Sequence, residues 1–364
     1  MHNCQHYYKG REITMILNKK IIPSLVAIIS IAGISACSIQ NVPATYTLNT
    51  KNSRLEVVKK RGKLICGVSG KNIGFSYINS KGEYKGFDVD ICRAVATAIF
   101  NDRKKVEFRN VSTQERFNAL ASGEIDLLAS TTTWTLSRDA DMKVSFAPIS
   151  FYDGQGLMAR RDLGIDRLED LEDKTICVLF GTTSLLNLSD RLREKGINYI
   201  QLAIGDVNRL YQAYQEGRCE AISIDKSQLV ARRQRFIEPQ NHIIFKDTLS
   251  KEPLAPAVID GDTVWFDVVR WSIFTLIQAE EFGITSSNID RFTTTADPAI
   301  MRFLGKSNSL GKNLGLTNDF APRIVKQVGN YGEIYDRNIA PLGLDRGVNE
   351  LWTNGGLMYS PPFR

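Results

Sequence analysis

Three short segments carry the side chains best suited to holding a charged small molecule. The run Ser130-Thr131-Thr132-Thr133-Trp134-Thr135-Leu136-Ser137-Arg138 places hydroxyls ahead of a single arginine. Phe180-Gly181-Thr182-Thr183-Ser184 reads as a turn into a helix start, where free backbone N–H groups and hydroxyls can receive an anion. Asp225 is a single carboxylate directly after the strand-like stretch 219–224. An arginine fork, a set of N–H and hydroxyl donors and one carboxylate together suit a small zwitterion. Arg138 and the hydroxyls would take its carboxylate, and Asp225 its ammonium. Taken singly, each has a plainer reading: Arg138 and Asp225 as surface residues, 182–184 as a helix cap.

Other chemistries are thinly supplied. The chain of 364 residues has three histidines, His2, His6 and His242, and two of them lie at the extreme N-terminus. A body with one histidine disfavours histidine-based acid–base catalysis. The spacing His2-x-Cys4-x-His6 resembles a metal-ligand set but has no fold to hold it, so no metal or cofactor is expected. The net charge of +6 falls to +3 once Lys9, Arg11, Glu12, Lys19 and Lys20 are set aside, too mild for a nucleic-acid partner. Hydrophobic residues at 43% and charged residues at 24% are ordinary globular usage.

The elements that must position the three segments alternate between strand and helix, twice over. Segment 63–68 (KLICGV) is a strand, 88–100 a helix with Asp88 as N-cap, 106–109 a strand, and Ser112-Thr113-Gln114-Glu115 a capping box for a helix through Ser122. Segment 125–129 is a third strand. The pattern restarts with strands at 155–160, 175–179, 199–203 and 219–224, and helices after Gly181 and over 206–216. Strand–helix alternation implies mainly parallel sheets, hence an α/β fold of two lobes, in which ligands sit beyond the carboxyl ends of strands. All three segments fall at such ends. The expected division is lobe 1 over 54–149, lobe 2 over 150–250, then a return to lobe 1 with a helical C-terminal extension over 251–364. The longest periodic run there, 264–282, places Trp265, Phe266 and Trp271 on a packing face.

The first fifty residues read as an address. From Met15, itself a plausible start, a basic stretch precedes fourteen uncharged residues, 21–34, and then Ser35-Ala36-Cys37. That is the layout of a signal peptide over 1–36, too short for the roughly 20 residues of a spanning helix. Ile34-Ser35-Ala36-Cys37 resembles a bacterial lipobox, which implies lipidation of Cys37, membrane anchoring outside the inner membrane, and a flexible tether over 37–53. Export makes disulfides possible among Cys66, Cys92, Cys177 and Cys219. Three pairings are open, as are four buried thiols. Cys66 with Cys92 and Cys177 with Cys219 is the expected arrangement, because each pair stays within one lobe.

Taken together, 86–90 (GFDVD), Ser130-Thr131-Thr132 with Arg138, Gly181-Thr182-Thr183 and Asp225 follow the order seen in periplasmic amino-acid-binding proteins of ABC importers. The resemblance extends over 54–364, and 250–254 (SKEPL), 265–271 (WFDVVRW) and 329–333 (GNYGE) are similar to the general L-amino-acid-binding subfamily in particular. It implies a type II periplasmic-binding-protein fold whose lobes close on an L-amino acid and present it to a membrane permease driven by a separate ATPase. No G-x-x-x-x-G-K-[ST] motif occurs in this chain. By resemblance, Arg138 clamps the ligand carboxylate with Ser130, Thr132, Thr133, Thr182 and Thr183, Asp225 holds its ammonium, and Phe75 and Asn72 line the side-chain pocket. Ser69-Gly70-Lys71-Asn72 lacks the acid that basic-amino-acid members carry after the first strand, which argues against strict lysine or arginine specificity. Two competing readings use the same fold: an amino-acid-sensing module, and a periplasmic amino-acid dehydratase, for which Asp153 or Glu83 would have to supply proton transfer.

Overall fold

The computed structural model of the protein describes residues 53–364. The leader over 1–36, the lipidation candidate Cys37 and the tether up to residue 52 lie outside the described residues.

Two sheets carry the architecture. In the first, strands lie in the order Val106–Asn110, Leu64–Val68, Leu127–Leu128, Ala257–Ile259 and Val144–Phe146. The first three run parallel, whereas Ala257–Ile259 is antiparallel to both its neighbours. The second sheet runs Tyr199–Ile204, Lys174–Leu179, Ala221–Asp225, Phe151–Arg160 and His242–Ile244, again with a parallel first half and an antiparallel second. Lys251–Leu254 pairs antiparallel with the start of Phe151–Arg160. The chain thus enters the second sheet on one hinge strand and leaves it on its paired neighbour before adding Ala257–Ile259 to the first. We call the parts built around these sheets lobe 1 and lobe 2.

Lobe 1 owes its larger core to the C-terminal segment. Helices Thr263–Glu281, Phe320–Val328 and Tyr331–Asn338 pack on Phe87–Phe100, whose Phe87, Ile91, Ala94 and Val95 are buried. Trp265 is fully buried and its indole N–H donates to Asp126 O at 2.9 Å, the packing role its spacing suggested. Asn349 reaches the hinge strand, accepting from Tyr152 N at 2.7 Å and donating to Tyr152 O at 3.0 Å, so one side-chain amide satisfies a backbone edge. Cys66 is joined to Cys92 and Cys177 to Cys219, each bridge tying a strand of one lobe to its own surroundings.

One helix start differs from the expected one. The residue capping Phe87–Phe100 is Gly86, not Asp88. Gly86 has φ 129°, and a Cβ there would stand 2.1 Å from Phe75 O, so only glycine lets the chain close against the backbone of Phe75. Asp88 is instead the second residue of the helix, where it is buried and accepts the N–H of Thr131 at 3.0 Å. Ser112 and Glu115 do exchange the expected bonds, Glu115 N donating to Ser112 Oγ at 3.2 Å and Ser112 N to Glu115 Oε2 at 3.4 Å, but they close a turn ahead of the helix, which starts at Arg116 with Glu115 as its N-cap.

Candidate functional site

Between the lobes lies a cavity of about 270 Å³, lined from lobe 1 by Ser130, Thr131, Thr133 and Arg138 and from lobe 2 by Thr183 and Asp225. Its walls come from the strand ends. Leu127–Leu128 delivers the loop 129–135, Lys174–Leu179 delivers the turn into helix Thr183–Glu194, and Ala221–Asp225 ends on the acid itself.

Arg138 is aimed by its own short helix. Thr135 caps Leu136–Asp141 and accepts the Arg138 N–H at 3.3 Å, which turns the guanidinium inward until the residue is 8% exposed. Its Nη1 donates to Thr133 O at 2.8 Å. A second guanidinium, Arg116, lies beside it at 3% exposure and donates to Thr132 Oγ1 at 3.2 Å. Both sit over the Phe117 ring, 5.2 Å from it for Arg116 and 5.5 Å for Arg138. Burial first, and then the neighbouring Arg138, push Arg116 down to about 9, still protonated at neutral pH. Two buried cations with Arg116 Nε unpartnered form a strongly anion-seeking wall. Arg116 was not singled out from sequence because a lone arginine in an amphipathic turn reads as surface.

Asp225 faces that wall from lobe 2. It is half-buried at the start of helix Lys226–Arg233, and no hydrogen-bond donor among the described residues reaches its carboxylate. Register explains its electrostatics. Asp225 lies opposite Gln155 on the hinge strand, and Glu252 lies opposite Asp153, so all four side chains project from one face of the sheet. Burial, then Asp153 and Glu252, hold Asp225 well above the usual carboxylate range, and burial pushes Asp153 up to about 6. A carboxylate without donors in an acidic neighbourhood calls for a cation. Gln228, one turn after Asp225, is 5% exposed and also lines the cavity with its Nε2 unpartnered.

The hydroxyls are arranged differently from expectation. Each threonine hydroxyl has one hydrogen to give. Thr132 gives it to Ser130 O at 3.1 Å, Thr182 to Leu179 O at 2.6 Å, and Thr133 and Thr183 both give it to Glu252 Oε2, at 2.5 and 2.9 Å. In this arrangement all four are committed inside the protein, and Thr132 is buried behind the cavity wall. The donors this leaves to meet an anion are the two arginines and the first-turn N–H groups of Thr183–Glu194, whose N-cap Thr182 makes no side-chain cap bond. Asn72 is on the wall as expected, donating to Thr131 Oγ1 at 2.8 Å. Thr131 holds φ 40°, a left-handed conformation that lets the loop turn toward both Asn72 and Asp88.

Phe75 is the expected ligand contact that the structure places elsewhere. It is fully buried in the lobe 1 core, edge-on to Phe151 with ring centroids 5.0 Å apart and 6.2 Å from Phe87, and it is not on the cavity wall. Aromatic edge contacts and full desolvation favour this cluster over a half-wet position at the cleft. The cleft mouth is spanned instead by an ion pair between Lys71 of lobe 1 and Asp206 of lobe 2, and by Thr113 Oγ1 donating to Phe180 O at 2.9 Å.

This geometry has counterparts among known proteins. Residues 64–337 match the model of bacterial extracellular solute-binding proteins, family 3. The chain is 44% identical over 315 residues to the general L-amino acid-binding periplasmic protein AapJ of Rhizobium johnstonii, covering 85% of this chain and 92% of that one. It is 42% identical over 316 residues to the glutamate/glutamine/aspartate/asparagine-binding protein BztA of Rhodobacter capsulatus, covering 86% and 94%. Among solved structures, a periplasmic binding protein of an ABC transporter from Brucella ovis with glutathione bound superposes with a TM-score of 0.83 at 44% identity, covering 86% of this chain and 99% of that one. Its fold is that of the type II periplasmic binding proteins. Two lobes joined by paired hinge strands around a charged cleft, and a family match over most of the chain, lead to one assignment: the protein belongs to the bacterial extracellular solute-binding proteins of family 3.

Proposed function

We propose that the protein captures single L-amino acids in the interlobe cavity and delivers them to the permease of an ABC importer energised by a separate ATPase. The observation that carries this reading is the opposition of Arg138 and Asp225 on the two walls of one small cavity. A ligand carrying both a carboxylate and an ammonium bridges the lobes, and only the closed form offers both partners, so binding draws the equilibrium toward closure. A cavity of about 270 Å³ equals roughly nine waters at about 30 Å³ each, the size of one amino acid of about ten non-hydrogen atoms. Names of the relatives, general L-amino acids for AapJ and acidic and amide amino acids for BztA, support broad specificity.

The site favours binding over catalysis. Asp153 is not on the cavity wall, and Glu83 is exposed in a hairpin and bonded to Asn79. Neither of the groups considered for a dehydratase lies where a ligand would. Glutathione, found in the Brucella ovis protein, presents the same α-ammonium and α-carboxylate at its γ-glutamyl end and is the second ligand to test.

Extracytoplasmic placement follows the family, and attachment through lipidated Cys37 follows the lipobox resemblance. No helix among the described residues is long and apolar enough to cross a membrane.

The deciding experiment is a thermal-shift screen of the full chain, unfolded and refolded to remove carried ligand, against the twenty L-amino acids, glutathione and simple sugars. Ligands of the native state raise the melting temperature as RT ln(1 + [L]/Kd). Shifts with several amino acids support the reading, and shifts with none of them from folded protein refute it. Labelling with radioactive palmitate, lost in Cys37→Ala, tests the anchor.

A further inference from the structure

The hinge strand Lys251–Leu254 carries a carboxylate with an unusual set of partners. Glu252 is 1% exposed, yet it accepts from four side chains. Its Oε2 takes the hydroxyl hydrogen of Thr133 from lobe 1 at 2.5 Å and that of Thr183 from lobe 2 at 2.9 Å. Its Oε1 takes Asn187 Nδ2, also from lobe 2, at 2.9 Å, and the hydroxyl of Ser250. The backbone around it is stitched the same way: Trp134 N donates to Pro253 O at 2.9 Å on the lobe 1 side, while Glu252 pairs with Asp153 on the lobe 2 side.

A single oxygen that holds one hydroxyl from each lobe can keep both only in one relative orientation of the lobes. The two hydroxyls stand 3.5 Å apart across that oxygen, so opening of the cleft breaks at least one bond and leaves a buried anion short of a donor. The same two residues flank the anion-binding wall. Thr133 O receives Arg138 Nη1, and Thr183 opens the helix whose first-turn N–H groups face the cavity. Resting on the amino-acid-binding reading above, we propose that Glu252 is a positioning residue of the binding site, fixing Thr133 and Thr183 in the register that only the closed cleft permits. Closure and assembly of the anion-binding donors are then one event, and the hydroxyls serve as struts, with ligand contact left to the N–H groups and the two arginines.

The test uses Glu252→Gln, which keeps shape but replaces one acceptor by a donor, with Thr183→Val and Thr183→Ser as partners. Spin labels at Lys81→Cys in lobe 1 and Glu216→Cys in lobe 2, both exposed, report the interlobe distance of ligand-free protein. Glu252→Gln and Thr183→Val are expected to shift that distribution to longer distances, and Thr183→Ser to leave it in place. Dissociation of L-alanine, a probe with almost no side chain, is expected to speed up about tenfold or more in Glu252→Gln. Thr183→Val should then cost little further in the Glu252→Gln background. Wild-type distances and kinetics in Glu252→Gln, or strictly additive effects of the two substitutions, overturn the proposal. Wild-type protein that binds no amino acid while the distances still shift refutes the amino-acid reading and leaves the role of Glu252 in closure supported. Should Glu252→Gln fail to fold, the distances in Thr183→Val against Thr183→Ser decide alone.

Discussion

Lys71 and Asp206 meet across the mouth of the cleft, one from each lobe, 135 residues apart in sequence and paired as a salt bridge. Asp206 also caps helix Val207–Gln215, accepting from Asn208 N at 2.9 Å and Arg209 N at 3.1 Å, so the lobe 2 partner is held rigid while the Lys71 side chain does the reaching. The Lys71 ammonium, above all, holds Asp206 below the usual carboxylate range.

Both groups remain partly in water, and exposed pairs contribute about 0.2–1 kcal/mol. Lys71→Ala is therefore expected to weaken amino-acid binding by up to about fivefold, mainly through faster dissociation. Stopped-flow measurement at low and high salt checks this. The wild-type advantage should shrink as ionic strength rises, and a salt-independent difference would count against the latch.

The clamp is expected to be far more sensitive. Arg138→Lys removes the planar fork, and Asp225→Asn removes the charge complementary to an ammonium. Truncating one partner of a buried charged pair costs about 2–5 kcal/mol, or roughly 30- to 4,000-fold in Kd. Isothermal titration should find this loss for every amino acid that binds, whatever its side chain. Loss confined to some ligands would mean that these residues read side chains.

Acidity should weaken capture. In the ligand-free site burial raises Asp225 well above its ordinary value and Asp153 to about 6. An ammonium favours the ionised carboxylates, so binding releases protons wherever the free site holds them. Affinity is therefore lost progressively as pH falls through the raised titration of Asp225. The sign for folding is the opposite. Both raised groups favour the folded ligand-free protein at low pH, and the share of Asp153 is lost as pH rises through about 6. Titrations in two buffers of different ionisation enthalpy measure the proton count directly, and net uptake would contradict the assignment.

The bridges should matter to stability and little to recognition. Cys66–Cys92 and Cys177–Cys219 close loops of 26 and 42 residues, for which loop entropy gives about 3.5 and 4 kcal/mol. Replacing Cys177 and Cys219 together by alanine is expected to lower Tm by roughly 5–15 °C. The Kd of folded protein should stay within about threefold, because neither sulfur lies on the cavity wall.

Much of this was legible in the amino-acid order. Strand–helix alternation is written in local periodicity, and ligands of open α/β sheets sit at strand ends, so Arg138, Asp225 and the turn at Thr183 could be located without coordinates. The within-lobe cysteine pairs followed from the same layout. Gly86 against Asp88 was not legible, because the choice of cap depended on a close approach to Phe75 O. Which way an aromatic faces is also a matter of its distant neighbours, and Phe75 turned to Phe151 and Phe87.

Residue types and local periodicity thus determined the family of chemistry and the lobes that bear it, since both rest on interactions within a few residues. Tertiary structure alone decided how the donors are spent. Thr133 reaches Glu252 over 119 residues and Lys71 reaches Asp206 over 135, and no local pattern encodes a register between segments so far apart. Because a hydroxyl has a single hydrogen, those distant partners settle whether a threonine can greet a ligand or brace the hinge.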